Sequence, residues 1–178
     1  MDRLALTTAP QNLTVRLSVN GRRIERVVEA RTHLVDFLRE ALGLTGSHTG
    51  CEHGVCGACT VRLDGVCGAC TVRLDGRIVR GCLVLAAQAD GAAVDTIEGL
   101  TESGEIADLQ EAFVRRNALQ CGYCTPGMLM CAAELLDKAP TTDRAAIRAH
   151  ISGNYCRCTG YEAIVDAIAD TAAARRGG

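Results

Sequence analysis

Three closely spaced cysteines and a fourth further along the chain have the spacing of iron–sulfur ligands. Cys51, Cys56 and Cys59 follow the pattern C-x4-C-x2-C, and Cys82 follows them at a distance. Plant-type ferredoxins bind a [2Fe-2S] cluster through thiolates with this spacing. Glycines between the cysteines let the backbone wrap closely, because they have no Cβ. We predict that these four cysteines bind a [2Fe-2S] cluster, with structural zinc as the alternative because it also accepts four thiolates.

The second half of the chain contains another group of four cysteines. Cys121 and Cys124 form one pair, Cys156 and Cys158 form the other, and 31 residues separate the pairs. Two helices are predicted between them, of roughly 13 and 11 residues, which extend about 20 Å and about 16 Å at 1.5 Å per residue. Antiparallel packing of these helices would return the second pair to the first. We therefore predict a single site of four thiolates.

Both pairs of the second group directly precede a predicted helix start. Thr125 is a predicted N-cap followed by Pro126, and Thr159 with Glu162 forms a predicted capping box. The partial positive charge of a helix N-terminus favours a negatively charged group nearby. A [2Fe-2S] cluster with four thiolates carries a charge of about −2, and about −3 when it is reduced. This pattern favours a redox cluster over zinc at the second site.

The composition excludes several classes of function. The chain has 178 residues, a formal net charge of −2, 3% aromatic residues and no tryptophan, which argues against nucleic-acid binding. No basic and apolar leader opens the sequence and no run approaches about 18 apolar residues, so neither export nor a transmembrane segment is expected. The 11 cysteines, an odd number, are typical of metal ligands in the reducing cytoplasm rather than of disulfides.

Hydrophobic periodicity divides the chain into two parts and predicts an α+β fold. Alternating apolar residues predict a hairpin with its turn at Asn20-Gly21, and helical spacing predicts a helix from Leu34 to Leu42. A second hairpin with its turn at Asp75-Gly76 and a strand from Ala93 to Ile97 complete a small mixed sheet. The rest of the chain has the spacing of four amphipathic helices. The predicted domains are 11–90, which is ferredoxin-like, and 91–178, which is helical.

Three motifs together resemble a known family. They are Gly50-Cys-Glu-His-Gly-Val-Cys-Gly-Ala-Cys-Thr, Gln120-Cys-Gly-Tyr-Cys-Thr-Pro-Gly-Met and Gly153-Asn-Tyr-Cys-Arg-Cys-Thr-Gly-Tyr. Two different four-cysteine patterns in this order resemble the small iron–sulfur subunit of the molybdenum hydroxylases. This is the superfamily of xanthine dehydrogenase, aldehyde oxidoreductase and aerobic carbon monoxide dehydrogenase.

The resemblance implies a β-grasp ferredoxin domain followed by a four-helix bundle, with one [2Fe-2S] cluster in each. It also implies an electron-transfer subunit without catalytic residues, in a complex with a large molybdopterin-binding subunit and a medium FAD-binding subunit, arranged as a dimer of heterotrimers. Electrons would pass from molybdenum through the helical-domain cluster and then the ferredoxin-like cluster to FAD. Carried over by position, Cys121, Cys124, Cys156 and Cys158 hold the cluster nearer molybdenum, and Gln120 and Cys158 approach the pterin.

The chain departs from the family in one segment. The eleven residues Gly54–Asp64 recur without change at Gly65–Asp75. Two pairs are therefore candidates for the middle ligands of the first cluster: Cys56 with Cys59, and Cys67 with Cys70. The first choice keeps the short ligand loop and places the extra residues in a hairpin tip, where insertions are tolerated. The second enlarges the ligand loop, at a closure cost that grows slowly with length. We favour Cys56 and Cys59, because ligand-loop geometry is less forgiving than a hairpin tip.

Other residues with ligand-type side chains receive simpler interpretations. His48 and His53 flank the first cysteine group, but a Rieske site needs two histidines in place of two cysteines, and cysteines are abundant here. Cys131 lies at core spacing on its helix and is predicted to be a small buried hydrophobic residue. Arg157 either tunes the second cluster or lies at a subunit interface. A freestanding ferredoxin and a structural zinc protein are the alternative functions.

Overall fold

The computed structural model describes residues 11–64 and 76–177, and these contain one mixed β-sheet. Its strands are β1 (Asn12–Val19), β2 (Arg22–Glu29), β3 (Thr60–Asp64), β4 (Arg77–Arg80) and β5 (Ala93–Asp95). They lie in the order β2-β1-β5-β3-β4, with β1 and β5 parallel and the other neighbours antiparallel. Helices accompany this sheet, so the α+β class predicted from the sequence is confirmed.

Six α-helices lie in the described part of the chain: α1 (Leu34–Asp36), α2 (Ile97–Glu102), α3 (Ala107–Arg115), α4 (Thr125–Lys138), α5 (Arg144–Ile151) and α6 (Glu162–Gly177). A π-helical turn at Phe37–Ala41 extends α1, and the two together span most of the helix predicted there. Helix α4 ends at Lys138 as predicted, but its N-cap is Cys124 rather than Thr125. Not one of these six helices has the length and apolar character needed to cross a membrane.

The hairpin of β1 and β2 follows from its alternating apolar residues. Val15, Leu17 and Val19 are buried, while the residues between them are more exposed. The connecting residues Asn20 and Gly21 have positive φ angles of 50° and 75°, which both residue types tolerate in a tight turn. The hairpin contributes to an apolar core that also contains residues from α1, the π-helical turn, the other strands and the segment after β4: Leu34, Phe37, Leu38, Val61, Val84 and Val94.

A second apolar core belongs to the helical half. Helix α3 packs on α4 and α6, and α5 packs on α4 and α6. The helices predicted from apolar spacing are therefore present as α3 to α6. The strand predicted from Ala93 to Ile97 is shorter, because Ile97 is already the first residue of α2. Fully buried residues of this core are Ile106, Leu109, Phe113, Met128, Met130, Ile147, Ile151 and Ile164.

Strand β4 pairs with the first copy of the repeated segment. Thr60, the first residue of β3, lies opposite Arg80, and the antiparallel pairing continues to Leu63 opposite Arg77. The hairpin that the sequence predicts around Asp75-Gly76 has its first strand outside the described residues. In the amino-acid sequence, the second copy therefore lies between the end of β3 and the start of β4.

Substitution of a buried leucine tests the helical core. Leu109→Ala removes methyl groups from α3 at a position that is 0% exposed, so we expect the free energy of unfolding to fall by about 2–5 kcal/mol. Val114→Ala on the same helix is the matched control, because Val114 is 69% exposed and the expected change is within about 0.5 kcal/mol. Urea denaturation followed by circular dichroism measures both. An equal effect of the two substitutions would contradict this account of the core.

Candidate iron–sulfur centres

The loop from Cys51 to Cys56 folds around the sulfur of its first residue. Three backbone N–H groups, those of His53, Val55 and Cys56, donate to Cys51 Sγ at 3.4 Å each. Gly54 has a positive φ of 75°, which helps to turn these groups inward. The hydrogen bonds from Cys56 and His53 lower the pKa of Cys51 to about 6, because they stabilise the thiolate. The loop therefore favours a charged sulfur.

Cys59 and Cys82 meet beside the sheet. Cys59 directly precedes β3 and Cys82 lies in the 3-10 turn after β4, so the pairing of the two strands brings them together. The N–H of Gly81 donates to the carbonyl of Cys59 at 3.0 Å. Both cysteines are 2% exposed and pack against Val35. Burial raises the pKa of Cys59 to about 12. The side chain of Cys82 also raises this pKa, whereas the backbone of Cys82 lowers it.

The four sulfur atoms of this first site form two pairs. Cys51 lies close enough to Cys56, and Cys59 close enough to Cys82, for the side chain of the neighbour to shift its pKa. Cys56 is also close enough for its charge to act on Cys59. A [2Fe-2S] cluster with four cysteine ligands has two thiolates on each iron. The paired arrangement therefore fits this group, and it joins the four cysteines predicted from their spacing.

The second site forms because α4 and α5 return the chain as predicted. The Sγ atoms of Cys121 and Cys158 are 3.6 Å apart, and the thiols of Cys124 and Cys156 lie close enough to shift each other's pKa. These are again two pairs of sulfur atoms. Cys121 and Cys158 are exposed, whereas Cys156 is buried and Cys124 is partly buried against the helical core. One pair therefore lies at the surface and the other lies inside.

The two inner thiols have opposite pKa shifts. Burial raises the pKa of Cys124 to about 12. Burial also acts on Cys156, but hydrogen bonds from Thr159 outweigh it and lower the pKa of Cys156 overall. The hydroxyl of Thr159 lies 3.0 Å from Cys156 Sγ, and its N–H donates to the same atom at 3.4 Å. Thr159 therefore favours a charged sulfur at Cys156.

The contacts of Thr159 also correct a prediction from the sequence. The capping box expected from Thr159 and Glu162 is wrong, because α6 starts at Glu162 itself. Tyr161, the residue before this start, has a φ of 69° and is not helical. The carboxylate of Glu162 pairs with Arg144 and Arg148 instead of capping the helix. Thr159 contacts a cysteine sulfur, a role that helix-capping patterns do not reveal.

The two sites share a closely packed contact, which we call the inter-site boundary. It consists of Cys56 and Gly57 from the first site, with Gly127, Asn154 and Tyr155 from the helical half. The N–H of Tyr155 donates to the carbonyl of Cys56 at 2.8 Å. The side chain of Asn154 is 1% exposed and donates to the carbonyl of Gly127 at 2.9 Å. A Cβ on Gly57, whose φ is +77°, would lie 1.7 Å from Asn154 Oδ1. Only glycine fits at this position.

A stacked pair of rings forms another contact between the sites. The ring centroids of His48 and Tyr123 are 4.5 Å apart, and the ring planes are inclined by 15°. His48 Nδ1 lies 2.8 Å from the carbonyl oxygen of Tyr123, and the Tyr123 hydroxyl donates to the carbonyl of Thr49 at 2.7 Å. The imidazole of His48 therefore contacts the loop of the second site. Spacing could not predict this pair, because 75 positions separate its members.

The remaining predicted residues lie around the second site or apart from both. Gln120 and Arg157 are exposed. Cys131 is 2% exposed in the helical core, as predicted, with its Sγ 3.5 Å from the carbonyl oxygen of His150. Cys67 and Cys70 fall outside the described residues. Within the described ranges, no three His, Cys, Asp or Glu side chains converge on a point that could hold a single metal ion.

Family models match both parts of the chain. Residues 17–65 match a 2Fe-2S iron–sulfur cluster binding domain, and residues 96–169 match a [2Fe-2S] binding domain. The first range includes three cysteines of the first site, and the second range includes all four cysteines of the second site. The matches support one cluster in each part of the chain.

Several known proteins are similar to this chain over most of its length. The caffeine dehydrogenase subunit gamma of Pseudomonas sp. strain CBB1 is 49% identical over 86% of this chain and 87% of its own length. The nicotine 6-hydroxylase small subunit of Paenarthrobacter nicotinovorans is 47% identical over 92% of this chain and 93% of its own. A chain of quinoline 2-oxidoreductase from Pseudomonas putida 86 is 45% identical and has a TM-score of 0.82, with 94% of this chain and 98% of that chain covered.

Substitution of a boundary glycine tests how the sites are held together. Gly57→Ala and Gly91→Ala both place a side chain at a φ of +77°, which costs about 1–2 kcal/mol. Only at Gly57 does the new Cβ overlap other atoms, since nothing lies within 4 Å of a Cβ on Gly91. We expect Gly57→Ala to reduce both iron content and stability further than the control. Iron assay and urea denaturation of the two variants measure this, and equal results would contradict a boundary that requires glycine.

Proposed function

This chain belongs to the family of small iron–sulfur subunits of molybdenum hydroxylases, and from that membership we propose that it relays electrons from molybdenum to FAD within such a complex. It is an electron-transfer subunit, and the substrate chemistry belongs to a partner subunit. The observation that carries the proposal is the inter-site boundary, where the two four-cysteine sites are in direct contact through the hydrogen bond from Tyr155 N–H to the carbonyl of Cys56.

The proposed ligands of the first [2Fe-2S] cluster are Cys51, Cys56, Cys59 and Cys82. Their sulfur pairs, the three N–H donors to Cys51 and the pairing of β3 with β4 all support this assignment. It uses the first of the two identical segments. Cys67 and Cys70 are then additional thiols that the cluster does not need.

The proposed ligands of the second [2Fe-2S] cluster are Cys121, Cys124, Cys156 and Cys158. The hydrogen bonds from Thr159 and the N-terminus of α4, which starts after Cys124, both favour negative charge at this site. Each [2Fe-2S] cluster, when bound, accepts and releases one electron. We assign the clusters to a β-grasp domain at 11–90 and a four-helix domain at 91–178.

The inter-site boundary supplies the connection between the clusters. From Cys156 to Cys56 the path consists of covalent bonds and one hydrogen bond, because Tyr155 directly precedes Cys156. The close packing of Gly57 against Asn154 keeps the two ligand loops at a fixed separation. The chain therefore needs no rearrangement of these loops for an electron to pass between the sites.

Exposed residues beside each site are the proposed partner surfaces. The exposed Cys121 and Cys158, with Gln120 and Arg157 beside them, would contact the large molybdopterin-binding subunit, with Gln120 and Cys158 nearest the pterin. The exposed residues of the first ligand loop, Glu52, His53 and Val55, would face the medium FAD-binding subunit. The assembly we propose is a dimer of heterotrimers in the cytoplasm, where thiols remain reduced and available to iron.

Purification of the intact complex tests the proposed function. Molybdenum and FAD subunits should copurify with this chain, which should contain about four irons and about four acid-labile sulfides per copy. Reduction should produce two distinct rhombic EPR signals. A colourless chain containing zinc would refute the proposal. Two iron–sulfur signals without any copurifying molybdenum subunit would identify a freestanding ferredoxin instead.

Serine substitutions in the two copies of the repeated segment test the assignment of the first cluster. Cys56→Ser should remove about two of the four irons and one of the two EPR signals, because a ligand is lost. Cys67→Ser is the matched control, since it makes the same change at the equivalent position of the second copy, and it should leave iron content unchanged. Iron loss in the Cys67 variant alone would assign the ligand role to the second copy.

A further inference from the structure

Arg80 contacts segments that belong to both candidate centres. It is the last residue of β4 and lies two positions before Cys82. Its Nη1 donates to the hydroxyl of Thr60, which directly follows Cys59, and its Nη2 donates to the carbonyl of Gly153 at 2.9 Å. A single side chain therefore spans from the first site to the loop that leads into the second.

The contact with the first site continues through Thr60. The hydroxyl of Thr60, 2% exposed as a residue, donates to the carbonyl of Gly57 at 2.6 Å. Gly57 lies between the proposed ligands Cys56 and Cys59, and it packs against Asn154. On the sheet side, Arg80 is therefore connected to the inter-site boundary by hydrogen bonds through Thr60. On the helical side, it binds Gly153, the residue before Asn154.

The charge of Arg80 is not balanced by either of these acceptors. A hydroxyl and a carbonyl are neutral, whereas the guanidinium is positively charged. Arg80 is only partly exposed, so solvent screens its charge less than that of a surface arginine. Burial raises the pKa of Cys131 on α4 to about 11, whereas the charge of Arg80 lowers this pKa. The positive charge therefore acts on the helical half as well as on the sheet.

We propose that Arg80 sets the reduction potentials of both clusters, through a positive charge that it holds beside the two ligand loops by bonding to Thr60 and Gly153. The inference rests on the proposed function, because it requires a cluster in each site. Each cluster becomes more negative on reduction, from about −2 to about −3 with its thiolates. A fixed positive charge stabilises the reduced form more than the oxidised form. It also offsets the repulsion between electrons on neighbouring clusters.

Neutral and charged substitutions in the intact complex separate the charge of Arg80 from its size. Arg80→Met should lower the equilibrium constant for reduction of each cluster about tenfold, which is about 59 mV for a one-electron couple. Arg80→Lys, which keeps the charge, should retain most of the original potentials. Arg26→Met is the control, because Arg26 is exposed on β2, which β1 and β5 separate from β3. EPR-monitored redox titration measures both clusters in each variant.

The iron content of each variant distinguishes failure of this inference from failure of the proposed function. Fewer than about four irons in the unaltered chain would overturn the proposed function itself. With all irons present, unchanged potentials in Arg80→Met would overturn only the role of Arg80. Equal shifts in the Met and Lys variants would also overturn it, because charge would not be the cause. If Arg80→Met loses iron, Arg80→Gln, which can still donate a hydrogen bond, replaces it in the same titration.

Discussion

The close approach of Gly57 to the helical half is the contact on which both centres depend. A Cβ on Gly57 would overlap Asn154, and a Cβ on Gly127 would lie 2.2 Å from the carbonyl oxygen of Gly57. Glycine is needed on both sides, so the first ligand loop meets α4 through backbone atoms. The loop and the helix could not come as close if either position had a side chain. The proposed connection between two redox sites therefore gives a reason for two glycines that are far apart in sequence.

Other interactions fix the orientation of the two halves around this contact. The hydroxyl of Tyr123 bonds to Thr49, and Arg80 bonds to Gly153. Asn154 donates through Nδ2, but its Oδ1 has no hydrogen-bond partner among the described residues. An unsatisfied buried polar atom costs about 1–3 kcal/mol. The fold accepts this cost where Asn154 fills the space beside Gly57, which indicates that packing at the boundary outweighs ideal hydrogen bonding there.

Local patterns predicted the features that depend on neighbours in sequence. The β1–β2 turn at Asn20-Gly21 and the end of α4 at Lys138 agree with the structure. The contacts across the boundary could not be predicted, because they join residues such as His48 and Tyr123 that no periodic pattern relates. The capping box at Thr159 failed for a related reason. Its hydroxyl has a competing partner in the sulfur of Cys156, and a single-helix pattern does not include that partner.

The two copies of the repeated segment cannot be distinguished by their residues, so only their positions along the chain distinguish them. Gly54–Asp64 and Gly65–Asp75 are identical, so each copy has the side chains and backbone groups to form the same contacts. The difference between them is the position of the eleven surplus residues. Pairing of β3 with β4 puts them between two strand ends, where loop closure costs little and length is tolerated. The alternative would put them between Cys51 and the next ligand, and Val66 and Cys67 would then have to replace Val55 and Cys56 as N–H donors to Cys51 Sγ. The described loop, in which the first copy supplies these donors, supports our proposal that Cys56 and Cys59 are the ligands.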